Sequence, residues 1–126
     1  MKRKDKPFLI VDDEPDMCWA LQHILKGAGI NSEKAFSGCE ALELVKPDRF
    51  QLAFVDAKLP DMEGLELARR LREIDPSIRI VMISGYFYRE DVEVQKALVG
   101  EVICGFVGKP FLHDEIRTAI ETSSCF

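Results

Sequence analysis

Along this chain, apolar residues follow two alternating rhythms. Residues 8–11 (FLIV), 52–55 (LAFV), 78–83 (IRIVMI) and 102–107 (VICGFV) are short runs, rich in β-branched residues and apolar at nearly every position. A weaker run spans residues 30–36. Runs with no polar face suit strands covered on both sides, as in a parallel sheet. The segments between them carry helical spacing instead. Pro15 fits the first turn of a helix whose apolar stripe is Ala20, Leu21, Ile24 and Leu25, closed by Gly27 and Gly29. Ser37 and Glu40 make a capping box ahead of Ala41, Leu44 and Val45, with Pro47 as the stop. Leu65, Ala68, Leu71 and Ile74 form a third stripe, supported by a Glu66–Arg70 pair, with Asp75-Pro76 beyond its end. A fourth helix is expected over residues 89–99 and a fifth over residues 112–121.

Five strands alternating with five helices predict a doubly wound α/β fold, a five-stranded parallel sheet with right-handed crossovers and helices on both faces. No repeat, linker or low-complexity tract interrupts the pattern. The 126 residues are therefore expected to form a single domain with its core at about residues 8–121. In such sheets the site lies at the carboxyl ends of the strands, near the point where strand order reverses.

Composition narrows the function. A net charge of −5 argues against non-specific nucleic-acid or membrane-surface binding. The basic start, MKRKDKP, precedes an apolar run too short for a signal peptide or membrane span, so a cytoplasmic protein is expected. Cys18, Cys39, Cys104 and Cys125 form no C-x-x-C pair, and buried thiols in a reducing compartment are the simpler reading.

The predicted strand ends carry chemistry. Strand 1 ends at Asp12-Asp13-Glu14, strand 3 at Asp56, strand 4 at Ser84 and strand 5 at Lys109-Pro110. Two carboxylates about 4 Å apart repel by roughly 1 kcal/mol in water and by several times that in a cleft. A divalent cation reverses that sign. Mg²⁺ accepts one or two protein carboxylates and keeps its other positions for water and phosphate oxygens. Lys109 adds a mobile positive charge and Ser84 a hydrogen-bond donor, so the set suits receiving a phosphoryl group. A dinucleotide or flavin site would place a Gly-rich or hydroxyl-rich loop after strand 1, where this chain has acids.

In order, IVDDEPDM, FVDAKLPDMEGLEL, VMISGY and FVGKPF resemble the receiver domain of two-component response regulators, across almost the whole chain. The resemblance implies the strand order 2-1-3-4-5 and a phosphorylation-dependent switch, not an enzyme in the usual sense. It makes Asp56 the phospho-acceptor and Asp12 and Asp13 the acidic pair, with Asp13 a direct Mg²⁺ ligand beside Asp56 and the Lys58 carbonyl. Ser84 takes the hydroxyl position, Lys109 pairs with the phosphoryl group ahead of a cis Pro110, and Phe106 stands at the aromatic switch position. The implied donor is a sensor histidine kinase or histidine phosphotransfer protein. The implied output is a changed helix 4–strand 5–helix 5 surface, compatible with a phosphorylation-dependent dimer. Lys58 and Tyr86, two residues after acceptor and hydroxyl, flank the path of an attacking water and are expected to slow self-dephosphorylation.

The sequence also departs from the family pattern. Ser84 to Lys109 is a few residues longer than usual, Val102 and Ile103 replace small residues, and Gly85 stands where Ala is more usual. SSCF follows the fifth helix directly, so no output segment is expected after it.

Singly, each residue has a plainer reading. Asp12 or Asp13 alone is a helix N-cap, Asp56 a turn acid, Ser84 an ordinary strand end, Lys109 an exposed lysine and Phe106 a core aromatic. Their register at one sheet edge favours the functional reading. His23 and His113 read as surface residues, and Tyr86-Phe87-Tyr88 as a loop patch for a partner. Two rivals belong to other classes. A haloacid-dehalogenase-like hydrolase needs D-x-D after strand 1, but Asp12 is followed two residues on by Glu14. A degenerate receiver that only binds partners is disfavoured by the intact Asp56, Ser84 and Lys109.

Overall fold

The structure, a computed structural model, describes residues 6–85, 91–111 and 113–124. Its elements run β1 (Phe8–Val11), α1 (Pro15–Gly27), β2 (Ser32–Ala35), α2 (Gly38–Leu44), β3 (Leu52–Asp56), α3 (Gly64–Ile74), β4 (Arg79–Ser84), α4 (Val92–Val99), β5 (Gly105–Gly108) and α5 (His113–Ser124). The strands form one parallel sheet in the order β2-β1-β3-β4-β5, as expected. Among the described residues no helix is long and apolar enough to cross a membrane.

Side chains alternate across each strand, and this divides the core in two. Phe8, Ile10, Phe54, Val81 and Ile83 face α1 and α5, where Leu21, Leu25 and Ile116 meet them. Leu9, Val11, Val55, Ile80 and Met82 face α2, α3 and α4, and pack with Ala41, Leu67, Leu71 and Val94. β2, at the edge, is polar (SEKA) and only partly buried, which protects an exposed strand from pairing with another chain.

Three boundaries move. The apolar run 102–107 is only half strand. The Val102 and Ile103 amides both donate to the Ala97 carbonyl at the end of α4, so they are lost to the ladder. Sheet pairing begins at Cys104, whose N–H reaches the Ile80 carbonyl at 2.8 Å. Ile103 is apolar because it enters the core from a loop. β4 starts one residue late because the Ile78 amide closes a turn on Asp75, and it ends at Ser84 as expected. α5 runs three residues past the expected end. The start expected for helix 4 at residue 89 lies outside the described residues.

Candidate functional site

The β1–α1 junction buries an acid. Asp12 follows Val11 with only 1% of its surface exposed, so its carboxylate needs protein partners. Oδ1 accepts the Glu14 amide at 2.9 Å and Oδ2 accepts the Lys109 ammonium at 2.9 Å. Behind it, the buried Cys18 thiol donates to the Asp12 carbonyl at 3.3 Å. Burial, then the Asp12 charge, pushes that thiol up to about 11, so it stays protonated. Cys39, by contrast, lies exposed on α2, against the expectation of buried thiols. His23 and His113 are exposed, as expected.

Asp56 closes β3 beside this pair. Carboxylate oxygens of Asp12, Asp13 and Asp56 all lie within 4.8 Å of one another. Opposite ligands on Mg²⁺ are about 4.2 Å apart, so three oxygen donors this close, one of them on the exposed Asp13, fit a small hard cation. Burial raises the Asp56 carboxyl, Asp12 raises it further, and Lys109 and the Lys58 amide only partly offset them, leaving it at about 6.

Lys109 offsets the burial of Asp56 only in part, because it is shared. It follows β5 directly, ahead of a cis bond to Pro110, and its amide donates to the Ser84 carbonyl at 2.8 Å. Its Nζ is 2.9 Å from Asp12, 3.2 Å from Glu14 and 3.5 Å from Asp56, so the acceptor candidate has the weakest share. Burial works to lower the lysine, but hydrogen bonds and charges from Asp12, Asp56 and Glu14 outweigh it and keep the ammonium charged.

An open cleft of about 540 Å³ joins these groups, lined by Asp13, Glu14, Asp56, Lys58, Gly85 and Lys109 among others. Ser84 is buried at the end of β4 next to it. Phe106 lies away from the cleft, half-buried on the sheet face turned toward α2, α3 and α4. Tyr86, like the rest of the aromatic cluster, lies outside the described residues.

Three contributors were not foreseen. Glu14, noted only as one of several acids, reaches Lys109 across 95 residues of chain, a contact no local pattern reveals. Asp61, present only within the FVDAKLPDMEGLEL stretch, accepts the Gly38 and Cys39 amides at 2.9 and 2.8 Å, tying the loop after β3 to the start of α2. Those bonds hold its carboxyl down at about 2. Ser37 caps the third amide, that of Glu40, at 3.2 Å, as the capping box predicts. Gly64, the first residue of α3, lies so close to the β3 end that its sequence signal was a glycine opening an otherwise strong helix.

Gly85 tests how tight the cleft is. A Cβ there would lie 3.7 Å from the Lys109 Cβ, an ordinary contact, and its backbone is outside the left-handed region. Gly85→Ala is therefore expected to raise stability by about 0.5–1 kcal/mol, read as a higher urea midpoint. A lower midpoint would show that this loop needs the glycine.

Comparison with known proteins agrees with this geometry. The family model for the response regulator receiver domain matches residues 8–121. Sporulation initiation phosphotransferase F of Bacillus subtilis is 32% identical over 93% of this chain and 92% of its own length. The transcriptional regulatory protein ZraR of Escherichia coli is 28% identical over 90% of this chain, which spans only 25% of that protein. A response regulator protein from Burkholderia pseudomallei, crystallised with a phosphorylated aspartic acid, calcium ion and citrate, superposes with a TM-score of 0.80 at 27% identity, covering 94% of this chain and 68% of that one. This chain belongs to the receiver domains of two-component response regulators, phosphorylatable regulatory modules.

Proposed function

We propose that the chain is a single receiver domain that takes a phosphoryl group on Asp56 from a histidine kinase or histidine phosphotransfer protein in the cytoplasm. One observation carries this reading: a carboxylate at the floor of an open cleft, with two further acids within 4.8 Å and an ammonium 3.5 Å away. The related protein from Burkholderia pseudomallei carries a phosphorylated aspartic acid, which supports the acceptor chemistry.

Asp56 attacks phosphorus in line with the leaving group. Lys109 stays charged and close enough to move from Asp12 and Glu14 onto the phosphoryl oxygens. Asp13, Asp56 and the Lys58 carbonyl would hold Mg²⁺, with Asp12 behind them. The ion supplies positive charge to the phosphoryl oxygens.

The acyl phosphate adds about −1.5 to −2 charges. Ser84 turns toward it and Phe106 moves into the space released, altering the α4–β5–α5 surface that meets partners. Register supports that movement. Phe106 stands opposite Met82, and the next residue on its face, Gly108, stands opposite Ser84. A Cβ at Gly108 would meet nothing within 4 Å, so the space beside Gly108 is open.

Intact mass after incubation with acetyl phosphate and Mg²⁺ tests the function. One phosphoryl adduct is expected, and its absence would overturn the reading. Mg²⁺ alone should raise the melting temperature, because it relieves repulsion among the three acids and binds the folded state. The rise should shrink in Asp13→Ala. An equal rise in that variant would remove Asp13 as a ligand.

A further inference from the structure

A second cation lines the cleft. Lys58 extends its Nζ to 2.6 Å from Glu63 Oε1, with both side chains roughly half exposed. The same two residues pair through an antiparallel backbone bridge, and inside it the Leu59 amide donates to the Met62 carbonyl at 3.2 Å. Residues 58–63 thus make a tight loop closed by this ion pair. The backbone fixes where Lys58 starts, two residues beyond Asp56, and its four-carbon stem lets the ammonium exchange partners.

We propose that Glu63 sets the lifetime of the phosphorylated state by holding Lys58 away from the phosphoryl group. The inference rests on Asp56 being the acceptor. In hydrolysis a water oxygen bonds to phosphorus as the bond from phosphorus to the Asp56 oxygen breaks. The products are the Asp56 carboxylate and inorganic phosphate, with the water proton released to phosphate or solvent. An ammonium seated on the phosphoryl oxygens occupies space that this water must cross. Glu63 competes for that ammonium. An exposed ion pair is weak, so losing it should change the engaged fraction of Lys58 by about two- to five-fold. Glu63 is also the N-cap residue of α3, but its side chain makes no capping hydrogen bond, so Glu63→Gln removes the charge without uncapping the helix.

The test follows adduct decay by intact mass, after the full chain is phosphorylated with acetyl phosphate and Mg²⁺ and the donor is removed. Glu63→Gln is expected to decay about two- to five-fold more slowly than wild type at low salt. The difference should collapse near 1 M salt, where the Debye length is about 3 Å, a response that a purely structural role would not give. Lys58→Met should decay faster than wild type, and adding Glu63→Gln to it should change nothing. Equal decay in wild type and Glu63→Gln overturns the inference, as does an effect of Glu63→Gln that survives in Lys58→Met. If no adduct forms in wild type, the acceptor assignment itself fails, and that outcome is distinct from equal decay.

Discussion

Asp56→Asn is expected to abolish the phosphoryl adduct and, without Mg²⁺, to make the protein more stable at pH 7 by about 1–2 kcal/mol. The first effect follows from removing the nucleophilic oxygen while keeping the shape of the side chain. The second follows from the sign of the shift. Burial and the neighbouring Asp12 raise the Asp56 carboxyl from 3.8 to about 6. Above pH 6 both folded and unfolded chains carry the charge, and the folded state bears the whole penalty. Between pH 6 and 3.8 the folded state holds a proton that the unfolded state has lost, so stability recovers as pH falls. Below that window the group makes no difference. A shift of about two units corresponds to roughly 3 kcal/mol, and the open cleft beside the carboxylate screens part of it. The gain in Asp56→Asn should therefore be largest above pH 6 and fade toward pH 4. Urea titrations of both proteins in EDTA across this range decide it. A variant less stable than wild type at pH 7 would mean that the Lys109 contact outweighs the repulsion. Adduct at full yield in the variant would remove Asp56 as the acceptor.

Local pattern made most of this fold legible. Continuous apolar runs marked β1, β3 and β4 because both faces of the sheet are covered, and Ser37 and Glu40 announced α2 through bonds made within four residues. The stretch 102–107 misled for a physical reason. Burial makes a residue apolar whether it reaches the core from a strand or, like Ile103, from a loop. Asp12, Asp13, Asp56 and Lys109 were legible because the strand-end rule gathers residues far apart in sequence. The partners of those residues were not. That Lys109 prefers Asp12 to Asp56 depends on 2.9 against 3.5 Å, and that Lys58 engages Glu63 depends on a loop closing on itself. Neither leaves a trace in periodicity.

Gly64→Ala is expected to cost about 2–3 kcal/mol of stability, although Ala is the better helix former by about 1 kcal/mol. Gly64 begins α3 directly beneath the end of β3, and its amide donates to the Ala57 carbonyl at 2.8 Å. A Cβ at this position would lie 2.3 Å from the Asp56 carbonyl oxygen and 2.8 Å from the Ala57 Cα. These are backbone atoms at the end of the central strand, so no side chain can swing aside. Either α3 backs away and stretches its bond to Ala57, or the β3 end shifts and carries the Asp56 carboxylate with it. Both routes also disturb the approach of the acid cluster, so phosphorylation by acetyl phosphate should slow even at temperatures where the variant is folded. Gly27→Ala, at the end of α1, provides the contrast, because a Cβ there meets nothing within 4 Å. Its urea midpoint should match or exceed that of wild type. A Gly64→Ala protein as stable as wild type, phosphorylated at the same rate, would show that the β3–α3 junction yields without cost and that the position of Asp56 does not depend on it.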